Sequence, residues 1–385
     1  MSKVHLARPV PLPLQTAIAV AGIAVLSILL FTCCTGQNVV IGPAHRLPEP
    51  EQIVLPIPEA VRAMSGSVTE AAMGNILFHV DDDIRLNIRH LRGRMVDLAG
   101  DDVIVLDDKG RLELQLAYAE LGLTSESLTL MLNRYVFGYP GSPLKDLVVR
   151  TEGNRIVQTG TMHKLIDIPF EMTAELSVTP EGLMRIHPVQ MDICGLDGQK
   201  LLAAIGRSLE DLLDLSGARG ARVEGNDLLL DPLASLPPPR TTGRLTAVRV
   251  EGDEVIQVFG SPDAEGAEPL ALPVAAQNYV YFQGGTILFG KLYMVLSDLL
   301  TIDADASDPF DFYLDYYHTQ LVAGYHVTAR NYGLITYMPD FDDVGTPAGV
   351  VTPPPIRANS RPGAGGTPPN PSMEVLMRAL TSRRH

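Results

Sequence analysis

Apolar and polar residues alternate with a period of two through much of the middle of the chain. Ile84, Leu86 and Ile88 alternate with Arg85, Asn87 and Arg89, and Leu112, Leu114, Leu116 and Tyr118 with Glu113, Gln115 and Ala117. Phe170, Met172, Ala174, Leu176 and Val178 alternate in the same way with Glu171, Thr173, Glu175 and Ser177. Successive side chains of a strand point to opposite faces, so each stretch predicts a strand with one dry and one wet face, as in an antiparallel sheet covered on one side. Gly153-Asn154 and Gly252-Asp253, each set between two such runs, predict two-residue hairpin loops in which glycine reaches positive φ. Between Met184 and Ile193 the apolar positions change from even to odd, which predicts a bulge at His187-Pro188.

Two helical stretches interrupt the strands. Leu201, Leu202, Ile205, Leu209, Leu212 and Leu213 have helical spacing over 198–216, with Gly217 just beyond. The other helix covers 123–137, capped by Thr124 or Ser125 and stopped at Gly138-Tyr139-Pro140. Leu128, Met131, Leu132 and Tyr135 form one face of it, and Leu130, Val136 and Phe137 extend the apolar surface past half the circumference. A helix of that kind is buried on most sides. The expected fold class is therefore α+β, a long curved antiparallel β-sheet wrapped around helices, with an additional C-terminal β region.

The ends differ from this middle. Residues 17–34, "AIAVAGIAVLSILLFTCC", carry no charge; Lys3 and Arg8 precede them, and no Lys or Arg follows until Arg46. This polarity predicts a cytoplasmic N-terminus and a folded part across the membrane. Three readings stand: a retained transmembrane anchor, a signal whose cleavage leaves Cys33 lipidated, or a buried soluble helix. "LFTC" resembles a lipobox at Leu30 and Cys33 and departs from it at Phe31 and Thr32. The domain reading is an anchor or lipoprotein signal over 1–35, a Pro-rich stalk over 36–65 and an α+β domain over 66–260. A C-terminal β-rich region over 261–344 and a Pro/Gly tail with a short terminal helix over 345–385 complete it.

The order of helix, strands, second helix and closing hairpin resembles the tubular lipid-binding superfamily, in particular its bacterial envelope lipoproteins. "LTSESLTLMLNRYVF" matches as the first helix, "RIVQTGTMHKLIDIPFEMTAELSV" as a hairpin pair, "MDICGLDGQKLLAAIG" as the approach to the second helix and "GRLTAVRVEGDEVIQVFG" as the closing hairpin. The resemblance implies a curved sheet around a helix, an apolar groove, and binding of a lipid or other amphiphile outside the cytoplasm. The alternation itself assigns Leu128, Met131, Leu132, Tyr135, Phe170, Met172 and Leu176 to the groove wall, and Met172→Glu is expected to expel ligand without unfolding. Met131, Met162, Met172, Met184 and Met191 supply adaptable surface for varied chains. The same stripes also suit a closed, dry core.

Composition excludes several functions. Thirty basic and 45 acidic residues give a formal charge of −15, which repels nucleic acid. Cys33 and Cys34 are adjacent and Cys194 stands alone, so neither a disulfide framework nor a zinc site is expected. Asp303, Asp305 and Asp308 approach the spacing of a calcium loop, but Asp308 and Leu314 occupy the positions that need glycine and glutamate. Ser142 lacks a nucleophile elbow and the histidines lack metal spacing, so no enzyme, cofactor or metal is expected. The expected partners are an amphiphile and the membrane. The alternative is a scaffolding envelope protein that holds a protein partner.

Overall fold

The computed structural model describes residues 57–63, 68–163, 167–193, 196–200, 208–329 and 333–353. A short helix α1 (Glu59–Arg62) precedes β1 (Thr69–His79), β2 (Arg85–Asp97), β3 (Ile104–Val105) and β4 (Leu112–Thr124). Helix α2 (Ser125–Met131) follows at once and widens into a π turn over Leu132–Val136. Then come β5 (Leu144–Glu152), β6 (Arg155–His163), β7 (Asp167–Val178), β8 (Met184–Ile193) and β9 (Leu196–Asp197). Helix α3 (Leu209–Leu212), β10 (Ala221–Glu224), β11 (Asp227–Leu230) and helix α4 (Pro232–Ser235) lead to β12 (Arg240–Thr242), β13 (Leu245–Glu251) and β14 (Glu254–Gly260). The remainder holds β15 (Tyr279–Gln283), β16 (Thr286–Phe289), β17 (Leu292–Val295), β18 (Leu299–Asp303) and β19 (Phe310–Phe312). Helix α5 (Tyr317–Ala323), β20 (Tyr325–Thr328) and β21 (Leu334–Met338) close it.

Among the described residues the fold is mostly β. Eleven strands make one curled, half-barrel sheet in the order β13-β14-β4-β2-β1-β15-β18-β21-β20, with β12 beside β4 and β19 beside β1. A second sheet runs β10-β11-β8-β7-β6-β5 with β9 on β8, and a small third one runs β17-β16-β3. The β2–β4 ladder shifts register twice, between Ile88 and His90 and between Arg92 and Gly93. Such shifts bend a strand pair. Gly93 permits the second of them, because a Cβ there would lie 2.3 Å from the Gln115 carbonyl oxygen.

The large sheet is mixed, which corrects the purely antiparallel expectation. β18 and β21 run parallel because the chain between them passes through β19, α5 and β20 and so returns in the same direction. β1–β19 and β4–β12 are parallel as well. Strands after residue 261 join the sheet begun at Thr69, through the pairing of β1 with β15.

Local sequence accounts for many of the turns. Gly153-Asn154, Gly252-Asp253 and Gly225-Asn226 each connect a two-residue hairpin with the glycine near φ +60°. In β8 the pairs Ala174–Pro188 and Thr173–Gln190 leave Val189 as the extra residue. The bulge therefore sits one position beyond Pro188, and it carries burial from Met184, Ile186 and Pro188 to Met191 and Ile193. The continuous helix expected over 198–216 does not form. Ser208 is extended and starts a new four-residue helix, its hydroxyl accepting from Asp211 N–H while the Asp211 carboxylate accepts from Ser208 N–H; Leu213 is extended again. Residues 201–207 lie outside the described residues.

The alternation sorts each central strand between two environments. Met73, Phe282 and Leu299 face the main core that joins the two larger sheets. Ala72, Tyr281 and Leu300 face a second cluster, covered by Leu270, Leu272, Val274 and Ala276. Among the described residues no helix is long and apolar enough to cross a membrane. The expected anchor and Cys33 lie outside them.

Candidate ligand-binding site

Helix α2 is tied on both flanks. Thr124 caps it by accepting from Ser127 N–H at 3.1 Å. On one side Asn133 donates to the Leu147 carbonyl at 2.7 Å and accepts from Leu147 N–H at 3.0 Å, and the Thr129 hydroxyl accepts from Val149 N–H at 2.9 Å. These side chains satisfy the backbone of β5, the edge of its sheet, where no further strand can. On the other side Ser127 Oγ accepts from Arg85 N–H, and Arg134 pairs with Asp81 and Asp83. Tyr135 donates its hydroxyl to Asp81 at 2.8 Å. Burial, reinforced by that carboxylate, pushes the Tyr135 phenol up to about 12. Burial acts upward on Asp81 too, but hydrogen bonds from Asp83, Tyr135, Arg134 and Ile84 outweigh it and hold the carboxyl below its usual range.

The inner face of α2 looks onto a cavity of about 40 Å³. Leu128, Met131, Leu132 and Val136 form its helical wall, Leu123 and Val255 come from the large sheet, and Val149, Ile156, Leu176 and Ile186 from the second sheet. A second cavity of about 100 Å³ lies against the large sheet, walled by Met73, Leu91, Met95, Leu114, Phe282 and Leu299. Leu86, Leu121, Leu233 and Leu236 line both.

Residues 233–239, "LASLPPP", form a strap over this interior. Its start is fixed: Asp231 accepts from Leu233 and Ala234 N–H, and the Ser235 hydroxyl donates to the backbone. Its far end is fixed where β12 pairs with β4. Between them Pro237, Pro238 and Pro239 have no N–H to give, so the strap cannot be held by its own backbone donors there. Outside the strap is a cleft that holds Lys109, Arg219 and Arg240, and Leu233, Leu236, Pro237 and Pro238 line both the cleft and the larger cavity. Lys109 pairs with Asp315 at 2.6 Å and Arg240 with Glu113 at 3.4 Å, whereas Arg219 Nε donates to the Ala234 carbonyl.

Four of the residues assigned to a groove from sequence, Leu128, Met131, Leu132 and Leu176, meet at the smaller cavity. Tyr135 turns to Asp81. The Phe170 ring lies over Gly160, where a Cβ would be 3.2 Å from it. Met172 is buried in closed packing, opposite Gln158 on β6 and Met191 on β8. A glutamate at Met172 would place a carboxylate in this buried position between Gln158 and Met191, so the expected outcome of that substitution is a loss of stability, checked by its urea unfolding. The larger cavity was missed. Its signal was present in the alternation through Leu86, Leu114 and Leu116, and in the "LPPPR" stretch that begins at Leu236.

Two buried amides stand out in the smaller cavity. Gln158 and Gln257 are 2% and 4% exposed and line it from opposite sheets, and Gln158 Oε1 has no hydrogen-bond partner among the described residues. Leaving such an acceptor unpaired costs about 1–3 kcal/mol.

A separate polar cluster joins Asp303, Asp308 and Asp340, whose carboxylate oxygens lie within 4.8 Å of one another. Asn278 donates to Asp303 at 3.0 Å. Burial raises Asp340 to about 7, with the charges of Asp303, Asp308 and Asp311 adding to it, and raises Asp303 to about 6. Protonation of Asp303 or Asp340 relieves the repulsion among these carboxylates. Asp305 turns away to accept from Ser307 N–H.

Against family models, curated proteins and solved structures, the chain gives no match.

Proposed function

We propose that this chain binds or carries a lipid or other amphiphile in its apolar interior, from a tether on the outer side of a membrane. The observation that carries the reading is the pair of apolar cavities that share leucine walls and are closed from the cleft by a proline strap. A cavity of about 100 Å³ is smaller than the roughly 150 Å³ that admits benzene. An acyl chain thus enters only when the strap moves outward, after which the two cavities become one channel and the polar end of the ligand rests in the cleft beside Arg219. Met73, Met95, Met131 and Met184 line the cavities and adapt to chains of different shape. In this reading the curled sheet and the second sheet wrap helix α2, as the resemblance to tubular lipid-binding proteins implies. The test is native mass spectrometry of the full-length chain purified from membranes, followed by organic extraction. A bound species of lipid mass, lost on extraction, supports the reading; an unliganded mass with no uptake of a fluorescent fatty acid or phospholipid rejects it.

A second reading, a scaffold that holds a protein partner, draws on the free edge of β20, beside which Val322 is 86% and Val327 41% exposed. A stoichiometric protein that co-purifies without lipid, and is lost on Val327→Lys, favours it.

A further inference from the structure

The amides of the smaller cavity have no use in a purely apolar store. Gln158 comes from β6 and Gln257 from β14, so each of the two larger sheets contributes one to the same space. Among the described residues their neighbours there are aliphatic, no charged side chain lines the cavity, and the hydroxyl of the one serine, Ser235, is already bonded to backbone carbonyls. Gln158 Oε1 is an acceptor that lacks a donor. Buried acceptors are satisfied by protein, water or ligand, and the protein supplies nothing here among the described residues. A space of about 40 Å³ exceeds the roughly 10–15 Å³ that a water oxygen needs, so a hydroxyl fits.

We infer that the smaller cavity is a subsite for a neutral hydrogen-bond donor, a hydroxyl carried on an apolar chain, which donates to Gln158 Oε1 and is completed by the Gln257 amide. An anion is disfavoured at this position because no cation among the described residues lines it, and burying an unpaired charge among aliphatic groups is unfavourable. The inference rests on the amphiphile reading above and narrows it from any amphiphile to those with a hydroxyl on the buried part. It also gives Leu233 and Leu236 a role, as the partition that a hydroxylated chain must pass to reach the amides.

The test compares 1-decanol with decane, both added to the full-length chain in detergent, with binding corrected for micelles alone. The wild-type chain is expected to bind decanol at least tenfold more tightly than decane, and Gln158→Met/Gln257→Met is expected to remove that preference. Equal affinities for the two probes in the wild type, the result if water alone occupies the amides, overturns the inference and leaves the amphiphile reading standing. A preference that survives in the double variant overturns it as well. If neither probe binds, the amphiphile reading fails and the subsite falls with it. The wild-type comparison needs no variant, so poor folding of the double variant does not remove the test.

Discussion

The interior has two walls of opposite character. Helix α2 is stitched by side chains to β5 on one flank and to the turn at Asp81–Asp83 on the other, and its apolar face fills the space between. The strap over the larger cavity is bonded in its first half, through Asp231, Ser235 and the Arg219–Ala234 contact, and beyond its far end by β12, and the three prolines between donate nothing. Both walls present leucines to the same interior. The difference teaches that burial and restraint are separate properties: the proline stretch lies on the apolar interior with no backbone donors of its own, whereas α2 carries polar stitches on both flanks.

Four measurements break or sharpen that contrast. The largest effect is expected from Leu233→Ala, which removes part of the partition and should cost about 3 kcal/mol in urea unfolding, in the range of buried leucine truncations. It should also raise uptake of a fluorescent acyl probe by joining the two cavities, and a stability loss without added uptake would show that the strap does not gate them. Asn133→Ala should cost about 2 kcal/mol, because the Leu147 N–H and carbonyl both lose their partner. If it proves neutral, the helix is held by packing as the strap is, and the contrast disappears.

A pH series tests a part of the fold remote from both walls. Asp303 and Asp340 titrate near 6 and 7 in the folded chain and near their ordinary 3.8 when unfolded. Between those values the folded state holds protons that the unfolded state has released, so stability falls as pH rises from about 4 to about 7. The melting midpoint should be lower at pH 8 than at pH 5, and Asp340→Asn should flatten the curve. Helix and strap variants should shift the whole curve without changing its shape. The smallest effect is expected from Pro237→Gly, which frees the unfolded chain and should cost under about 1 kcal/mol. Its signature is kinetic: exchange of a bound acyl probe should speed up several-fold, and an unchanged exchange rate would place the gate elsewhere.

Much of the local architecture is legible in the residues. Period-two alternation marks β2 and β7 with the correct inner face and β4 as far as Leu116, beyond which a register shift turns Tyr118 away and Ala119 and Leu121 inward. Gly153-Asn154 and Gly252-Asp253 mark two hairpins, and the parity change in β8 marks a bulge to within one residue. The failures are also local in origin. Leucines at helical spacing over 198–216 suggested one helix, but Ser208 and Asp211 form a capping box, and a cap outweighs periodicity by offering the backbone a hydrogen-bonded start. Tyr135 was assigned to the groove wall with Leu128, Met131 and Leu132, whereas it uses its hydroxyl on Asp81, because a half-buried phenol next to a carboxylate gains more from that bond than from facing a cavity.

The residues by themselves determined which side of each strand is dry, where the chain turns and how α2 begins, since these follow from side-chain period, backbone stereochemistry and capping over a few neighbours. Tertiary structure alone decided which dry face meets which. Asn75 and Asn278 are 203 positions apart and hydrogen bonded, and the pairing of β1 with β15 beside them brings Met73, Val280 and Phe282 to the larger cavity. Alternation says that a face is buried and carries no information about its cover, so the strap, the shared leucine walls and the cavity that two amides line from different sheets exist only once those distant strands have paired.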